Sequence, residues 1–254
     1  MKSETSKSAH FQALHVPGQP LVLFNIWDPG SALAVAASGA KALATGSWSV
    51  AKALGYEDGE KLPMALAIAN LQRITQVCEL PVSIDLESGY SSNAEGIGES
   101  IQAAINAGGV GCNLEDSDPA SSAMRGIPDQ VTRISYARAG AAGAPFFINA
   151  RSDVFFQTPP ESHTLILLEQ AIVRAEAYAT AGANGIFLPG LTDLQLIATA
   201  AKRSPLPVNI MLGSSSAITR QQLADVGVAR ISHGPAPYRL VLKNLQDAAK
   251  LALQ

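Results

Sequence analysis

Two pairs of carboxylates follow apolar segments of this chain, and their spacing is suited to a metal ion. Asp85 and Glu87 end a stretch that begins at Pro81, where the β-branched residues Val82 and Ile84 indicate a buried strand. Residues i and i+2 of a strand point to the same side, so the two carboxylates are expected to project together. Like charges repel unless something neutralises them, and Mg²⁺ prefers oxygen ligands of this kind. The alternative is a pair of solvated loop acids.

A second acidic pair favours the metal. Glu115 and Asp116 follow the apolar residues 110–114, which places further acids at a neighbouring strand end. Asp116 has a plainer explanation, because it could pair with a nearby arginine. Arg151 also follows an apolar segment directly. It is either a structural counter-ion to the acids or a clamp for a substrate carboxylate, which its planar fork suits.

Apolar segments and helical patterns alternate about eight times along the chain, with no change in composition that would mark a linker. This alternation is typical of parallel βα units. Eight units in 254 residues predict an α/β fold of the (β/α)8 TIM barrel type, with a doubly wound open sheet as the alternative. The predicted strands cover residues 21–26, 42–45, 82–86, 110–114, 145–150, 185–188, 207–212 and 228–232. No GxGxxG motif follows the first strand, which argues against nucleotide binding.

In such a barrel the functional groups come from the carboxyl ends of several strands. The polar residues at these predicted ends are Asn25, Asp28, Ser47, Trp48, Asp85, Glu87, Glu115, Asp116, Asn149 and Arg151, with Asn209 inside the seventh strand. We expect them to converge on one mouth. Asp28 could instead only cap a helix. Asn209 is either a substrate-binding residue or a hydrogen-bonded amide of the core.

Composition limits the partners and the location. The net charge of −3, without a basic run, argues against nucleic acid. Cys78 and Cys112 form no CxxC pair and are expected to be buried thiols. No apolar run is long enough to cross a membrane and the N-terminus is polar, so we expect no membrane association and a cytoplasmic protein. Residues 1–18 are predicted to be a flexible tail, followed by one barrel domain over residues 19–254.

The set of residues indicates a class of reaction. A metal held by carboxylates, an arginine and a turn of backbone N–H groups together suit a small anionic substrate. The metal could bind the carboxylate and the 2-oxo or 2-hydroxy oxygen of such an acid. It would then stabilise the enolate that forms when a bond at C3 breaks.

Five segments in order resemble the isocitrate lyase / phosphoenolpyruvate mutase superfamily, over about residues 20–240. They are Gly46-Ser47-Trp48, Gly55-Tyr56-Glu57-Asp58, Asp85-Leu86-Glu87-Ser88-Gly89-Tyr90, Asn113-Leu114-Glu115-Asp116 and Asn149-Ala150-Arg151-Ser152-Asp153. The five motifs are specific to the superfamily but not to one reaction.

The resemblance implies a barrel enzyme that uses Mg²⁺ or Mn²⁺ and works through an enolpyruvate-like oxyanion. Asp85 would be the direct metal ligand, and Asp58 would lie in the outer shell of the metal. Glu87 and Glu115 would hold the metal directly or through water.

The same resemblance assigns the substrate contacts. Ser47 and Trp48 would offer backbone N–H groups to the substrate, and Arg151 would bind the substrate carboxylate. Arg151, Asp58 and Trp48 would therefore form the catalytic set.

The loop at residues 117–126 departs from the superfamily pattern. The carbon–carbon lyases carry a Lys-x-Cys-Gly-His segment there, whereas this loop has neither Cys nor His. It also lacks the Lys and Asn of the phosphonate-handling members, and Pro189-Gly190 replace a His that those members place after strand 6. The leading hypothesis is a Mg²⁺-dependent carbon–carbon lyase. The alternatives are phosphorus–carbon chemistry, as in a phosphonopyruvate hydrolase or mutase, and a non-catalytic protein that binds a small carboxylate.

The C-terminal segment predicts a helix at about residues 236–252 with an apolar stripe that must be covered. One possibility is that it packs on its own barrel. The other is exchange with a neighbouring chain, which the superfamily resemblance implies and for which Pro235 and Pro237 would provide a stiff lead-in. Exchange predicts a homodimer or homotetramer.

Overall fold

The computed structural model describes the backbone of residues 2–213 and 216–254 and the side chains from residue 7 onward within those ranges. Strands and helices alternate along the described chain. In order they are α1 (Lys2–Ala13), β1 (Leu21–Leu23), α2 (Pro29–Ala37), β2 (Leu43–Ala44), α3 (Ser47–Ala53), α4 (Met64–Val77), β3 (Val82–Asp85), α5 (Glu95–Asn106), β4 (Gly111–Glu115), α6 (Ile127–Gly140), β5 (Phe147–Arg151), α7 (Leu165–Thr180), β6 (Gly185–Leu188), α8 (Leu194–Arg203), β7 (Val208–Met211), α9 (Arg220–Asp225), β8 (Arg230–Ser232) and α10 (Ala236–Ala252).

The eight strands form one parallel sheet in the order β1-β8-β7-β6-β5-β4-β3-β2. Its two ends, β1 and β2, meet through a single parallel bridge between Ile26 and Thr45. The Ile26 N–H donates to the Ala44 carbonyl at 2.9 Å and the Gly46 N–H donates to the Ile26 carbonyl at 3.2 Å. The sheet therefore closes into the predicted (β/α)8 barrel, and all eight predicted strands are confirmed.

Asn25 reinforces this closure at the mouth of the barrel. Its Oδ1 accepts the N–H groups of His233 and Gly234 at 2.9 Å each, and its Nδ2 donates to the Thr45 carbonyl at 3.1 Å. One buried amide thus joins the ends of β1, β2 and β8. The prediction that Asn25 stands at the mouth is correct, and its bonds there are structural.

The bottom of the barrel is filled from the N-terminus. Phe11 of α1 is fully buried, and His15 stacks on Phe147 of β5 with ring centroids 4.0 Å apart. The first 18 residues were expected to be a flexible tail, but residues 2–13 form a helix. The difference arises because Phe11 and His15 bury their rings against the barrel interior, which a local polar composition does not reveal.

The C-terminal helix α10 leaves its own barrel. Tyr238 is buried against Trp27 and Trp48, with ring centroids 5.0 and 5.9 Å away. Every residue from 239 to 254 is exposed, and Leu245 keeps 63% of its surface accessible. Packing of this helix on its own barrel is therefore not what the chain adopts. Within the described ranges no helix combines the length and apolar character that a membrane span requires.

Candidate active site

Asp85 lies at the end of β3, with its two carboxylate oxygens in different surroundings. Oδ2 accepts the Ser47 backbone N–H at 3.1 Å and the Ser47 Oγ–H at 2.9 Å. Oδ1 is buried and has no hydrogen-bond partner among the described residues. An ionised oxygen left unpartnered in a buried position is costly, so this atom indicates a place for a cation or a donor that the protein itself does not supply.

Glu87 also reaches the mouth, but both of its oxygens are already bound. Oε1 accepts the Tyr90 hydroxyl at 2.8 Å and Oε2 accepts the Glu60 backbone N–H at 2.6 Å. Glu87 is buried, and desolvation followed by the charge of Asp85 raises its pKa to about 7. Glu87 therefore stands beside Asp85 as a carboxylate that is held in place by protein donors.

A reciprocal bond fixes the loop that carries Glu87. The Glu60 carboxylate accepts the N–H groups of Ser88 and Tyr90 at 3.1 and 2.8 Å and the Ser88 hydroxyl at 2.7 Å. Glu60 has a φ of 59°, and Glu87 has a φ of 51°, in the left-handed region that non-glycine residues rarely adopt. The bonds between the two loops outweigh this strain. Glu60 was not predicted as a site residue. The available signal was its position two residues after Asp58, which ends one of the five resembling segments.

Glu115 and Arg151 form an ion pair across neighbouring strands. Arg151 Nη1 lies 2.7 Å from Glu115 Oε2, and its Nε and Nη2 donate to the two oxygens of Asp153 at 2.6 and 3.0 Å. Desolvation raises the pKa of Glu115 against the opposing effect of Arg151. Burial alone would lower the pKa of Arg151, but Glu115 and Asp153 outweigh it and raise that pKa. In this structure Arg151 thus acts as a counter-ion whose fork is turned to Asp153.

Asp116 belongs to a buried support under this pair. Its Oδ2 accepts the Tyr178 hydroxyl at 2.8 Å and Arg174 Nη1 at 3.1 Å, and its Oδ1 accepts the Asp153 N–H at 2.9 Å. The prediction that Asp116 pairs with an arginine is confirmed. Because Asp153 holds Arg151, the network transmits the position of α7 to the arginine.

Two other polar residues at strand ends also have structural bonds. Asp28 is the N-cap of α2 and accepts the Ser31 N–H at 2.7 Å, which confirms the capping alternative. Asn209 is buried and pairs with Ser232, at 3.1 Å from Nδ2 to Oγ. This bond matches the core-amide alternative for Asn209.

Trp48 and Asp58 stand at the rim. Trp48 is half-buried in the first turn of α3, and the guanidinium of Arg239 lies 4.6 Å from the centre of its ring. Desolvation, and next the charge of Asp85, raise the pKa of Asp58. Ser47, Trp48, Asp58, Asp85, Glu87, Glu115 and Arg151 are thus arranged around one end of the barrel, as predicted.

The donor set fits one directly bound cation rather than a ready-made cage. Among residues 2–213 and 216–254, no three His, Cys, Asp or Glu side chains are positioned to hold a metal together. Of the carboxylates among the described residues, Asp85 presents a buried, unpartnered oxygen, whereas Glu87 and Glu115 are engaged by protein groups. Mg²⁺ commonly keeps several waters and takes one or two carboxylates, which agrees with this arrangement.

The loop after β4, residues 117–126, is held by an ion pair within the loop and by hydrogen bonds to the loop after β5. Asp118 forms an ion pair with Arg125 at 2.8 Å. Gln157, from the loop after β5, donates to Ser117 Oγ at 3.0 Å and to the Ser122 carbonyl at 2.8 Å. The Ser117 hydroxyl also donates to Asp153 Oδ2 at 2.6 Å, so the loop is joined to the residue that holds Arg151, whereas its contacts with Gln157 are exposed.

Comparison with known proteins finds related sequences that match nearly the whole chain. The family model described as phosphoenolpyruvate phosphomutase matches residues 11–253. An uncharacterized protein of Mycobacterium tuberculosis strain H37Rv is 33% identical over 94% of this chain and 87% of its own length. The 2-methylisocitrate lyase of Escherichia coli K12 is 27% identical over 89% of this chain and 81% of its own.

Solved structures agree with these sequence matches. A Burkholderia cenocepacia J2315 protein, described provisionally as a phosphonomutase, superposes with a TM-score of 0.95 at 49% identity and covers 98% of this chain and 99% of its own. A phosphoenolpyruvate phosphomutase from Streptomyces platensis superposes with a TM-score of 0.86 at 20% identity, over 97% of this chain and 87% of its own. The second likeness concerns the fold alone.

Proposed function

Since the chain belongs to the phosphoenolpyruvate phosphomutase family, within the isocitrate lyase superfamily, we propose that it is a Mg²⁺-dependent lyase. Its substrate would be a small 2-hydroxy or 2-oxo carboxylate in which a carbon–carbon bond breaks through an enolate-like oxyanion. Proteins of this superfamily are lyases, mutases and hydrolases. The observation that carries the proposal is the buried, unpartnered Oδ1 of Asp85 at the mouth.

Asp85 would hold the ion directly, and Glu87 and Glu115 would hold it through water, with Asp58 further out. When bound, Mg²⁺ or Mn²⁺ would supply Lewis-acid stabilisation of the oxyanion. Ser47 fixes the orientation of Asp85 through two hydrogen bonds, so that the free oxygen keeps one direction. This preorganisation lowers the cost of assembling the site.

The substrate carboxylate would be bound by Arg151 and by backbone N–H groups of Ser47 and Trp48. For this, Arg151 must share or exchange its bonds to Asp153 and Glu115 with the substrate. Its guanidinium has five N–H donors, so a carboxylate can be added without removing every existing bond. Asn209 would act from below as part of the barrel core, because its amide is paired with Ser232.

Carbon–carbon and phosphorus–carbon chemistry differ in the atom that leaves, and the loop after β4 offers neither the Cys of one group nor the Lys and Asn of the other. The Burkholderia relative at 49% identity is described provisionally as a phosphonomutase, which supports a phosphonate, such as phosphonopyruvate, as a second candidate substrate. A protein that only binds a carboxylate is the alternative from another class.

A single experiment separates these proposals. The purified protein is incubated with Mg²⁺ and each of a panel of 2-oxo acids, 2-hydroxy acids and phosphonopyruvate, and the products are followed by proton and phosphorus NMR. Release of pyruvate or glyoxylate from a 2-oxo or 2-hydroxy acid that contains no phosphorus would support the lyase. Conversion of phosphonopyruvate alone would replace it by phosphorus–carbon chemistry, and binding without turnover across the panel would favour the sensor.

A further inference from the structure

Arg230 crosses the interior of the barrel beneath the candidate site. It belongs to β8, and its Nη2 donates to Asn113 Oδ1 of β4 at 3.1 Å. In the strand order β8 and β4 are four positions apart, which in a ring of eight places them on opposite sides. The guanidinium therefore spans the lumen.

Among the described side chains, this arginine has no carboxylate partner. It is 1% exposed, and its Nε and Nη1 make no hydrogen bond with the described residues. Burial lowers the pKa of Arg230 to about 9, and the charge of Asp85 is the first influence that opposes it. A buried ion without a partner costs several kcal/mol, so a role in folding alone explains Arg230 poorly.

The arginine determines which end of the Asn113 amide faces the site. An arginine can only donate, so the atom of Asn113 that it contacts must be the oxygen. The same oxygen accepts Asn149 Nδ2 of β5 at 2.9 Å. With its oxygen bound by Asn149 and Arg230, the amide has its NH₂ group turned away from these two donors. The register partner of Asn113 on β3 is Asp85.

We propose that Asn113 is a substrate-binding residue, whose NH₂ group donates to an oxygen of the substrate beside Asp85, and that Arg230 is its positioning residue. The Asn113 NH₂ group has no acceptor among residues 2–213 and 216–254, so its donors remain for a ligand. This inference rests on the proposed function, because it assumes a carboxylate or oxyanion next to Asp85.

The test uses oxalate, a planar dicarboxylate that resembles an enolpyruvate oxyanion, titrated into the full chain with Mg²⁺ by calorimetry. Asn113→Ala and Arg230→Met are each expected to weaken oxalate binding about tenfold or more, the scale of a hydrogen bond to a charged group. Because the two residues act through one amide, the double variant is expected to lose little beyond either single variant. Mg²⁺ binding in the absence of oxalate is expected to stay unchanged in Asn113→Ala.

Asn113→Asp separates binding from folding. The new carboxylate gives Arg230 a counter-ion, so the variant is expected to fold with a Tm no lower than wild type, yet it loses the donors and should bind oxalate weakly. The matched control is the pair Arg138 and Asn184, which are also bonded to each other but lie below, with Arg138 also bound to the Gly182 carbonyl. Asn184→Ala should lower stability without changing oxalate affinity.

The outcomes are distinguishable. Wild-type binding with unchanged affinity in Asn113→Asp or Asn113→Ala would overturn this inference and leave the proposed function standing. Loss of Mg²⁺ binding in Asn113→Ala would also overturn it, since the amide would then serve the metal. If wild type binds no oxalate with Mg²⁺, both the proposed function and this inference fail.

Discussion

Ser47 places two hydrogen-bond donors on one oxygen of Asp85, its backbone N–H at 3.1 Å and its hydroxyl at 2.9 Å. The other oxygen of Asp85 stays unpartnered and buried. A residue at the start of α3 thus fixes the direction in which a carboxylate at the end of β3 can bind a cation.

Asp85→Ala is expected to abolish Mg²⁺ binding and turnover while the barrel remains folded. The substitution removes the buried, unpartnered carboxylate oxygen and leaves the cation with Glu87 and Glu115, which are engaged by protein groups. Calorimetric titration with Mg²⁺ measures this, and circular dichroism reports the fold. Glu57→Ala is the control, because Glu57 is exposed and pairs with Lys52. Unchanged Mg²⁺ affinity in Asp85→Ala would sink the assignment.

Arg151→Lys retains the charge but loses the bidentate fork. We expect substrate or oxalate binding to weaken by about 1.5–3 kcal/mol, the scale of a hydrogen bond to a charged group. Stability should fall as well, because Arg151 bridges Glu115 and Asp153. Arg203→Lys, which alters an exposed pair with Glu169, is the control for the substitution itself. Normal binding in Arg151→Lys would leave Arg151 as a counter-ion only.

The loop at residues 117–126 is expected to act as a lid. Its attachment to Gln157 is exposed and can be exchanged for contacts with a ligand. Hydrogen exchange of residues 117–127 should slow when Mg²⁺ and oxalate are both added. Equal exchange with and without the ligands would argue against a lid.

His15 makes stability depend on pH. Its burial, followed by the charge of Arg230, lowers its pKa from 6.5 to about 3. A base whose pKa is lower in the folded state contributes stability above pH 6.5, and that stability is lost as pH falls towards 3. In urea unfolding, the wild type should therefore lose stability relative to His15→Phe as pH falls below 6.5, by up to about 1.4 kcal/mol per pH unit.

His10→Gln is the control for that experiment, because His10 lies in α1, five residues before His15, and is exposed. Glu87 works in the opposite direction in both proteins: its raised pKa of about 7 contributes stability at low pH that is lost as pH rises through 7. Only the difference between variants isolates His15. A difference that does not depend on pH would mean that the pKa of His15 is the same in the folded and the unfolded chain, which would contradict this prediction.

The exposed helix α10 is expected to exchange between two chains. Phe24, directly after β1, is 40% exposed, and Leu245 on the helix is 63% exposed. Helix α10 of a partner chain could cover Phe24, while the barrel of that partner chain covers Leu245. We expect a dimer or tetramer in analytical ultracentrifugation, and Leu245→Asp should weaken it. A wild-type monomer at micromolar concentration would rule exchange out.

The barrel and the acids at its mouth were predictable because they rest on local signals. Apolar, β-branched runs marked all eight strands, and Asp85 follows its strand directly. The partners of these residues were less accessible. Whether Arg151 faces a substrate or Asp153 depends on a rotamer, and the bond between Arg230 and Asn113 joins residues 117 positions apart. An arginine inside the apolar run 228–232 was the available signal.

The prediction of a flexible N-terminal tail was wrong for a related reason. Its composition is polar, and only the shape of the barrel floor explains why Phe11 and His15 are buried. A segment of this kind gains its structure from the surface that it fills, so a pattern within the segment cannot predict it.

The closure of the barrel at β1 and β2 has a consequence for its motions. Each of the other seven neighbouring strand pairs has two or more paired residues. The junction of β1 and β2 is a single bridge between Ile26 and Thr45, with the Asn25 amide beside it. Thr45 lies two residues before Ser47 and also accepts the Asp85 N–H on its hydroxyl. When strands of the barrel separate transiently, β1 and β2 should separate first. The geometry of the proposed metal site would then fluctuate with this junction between β1 and β2.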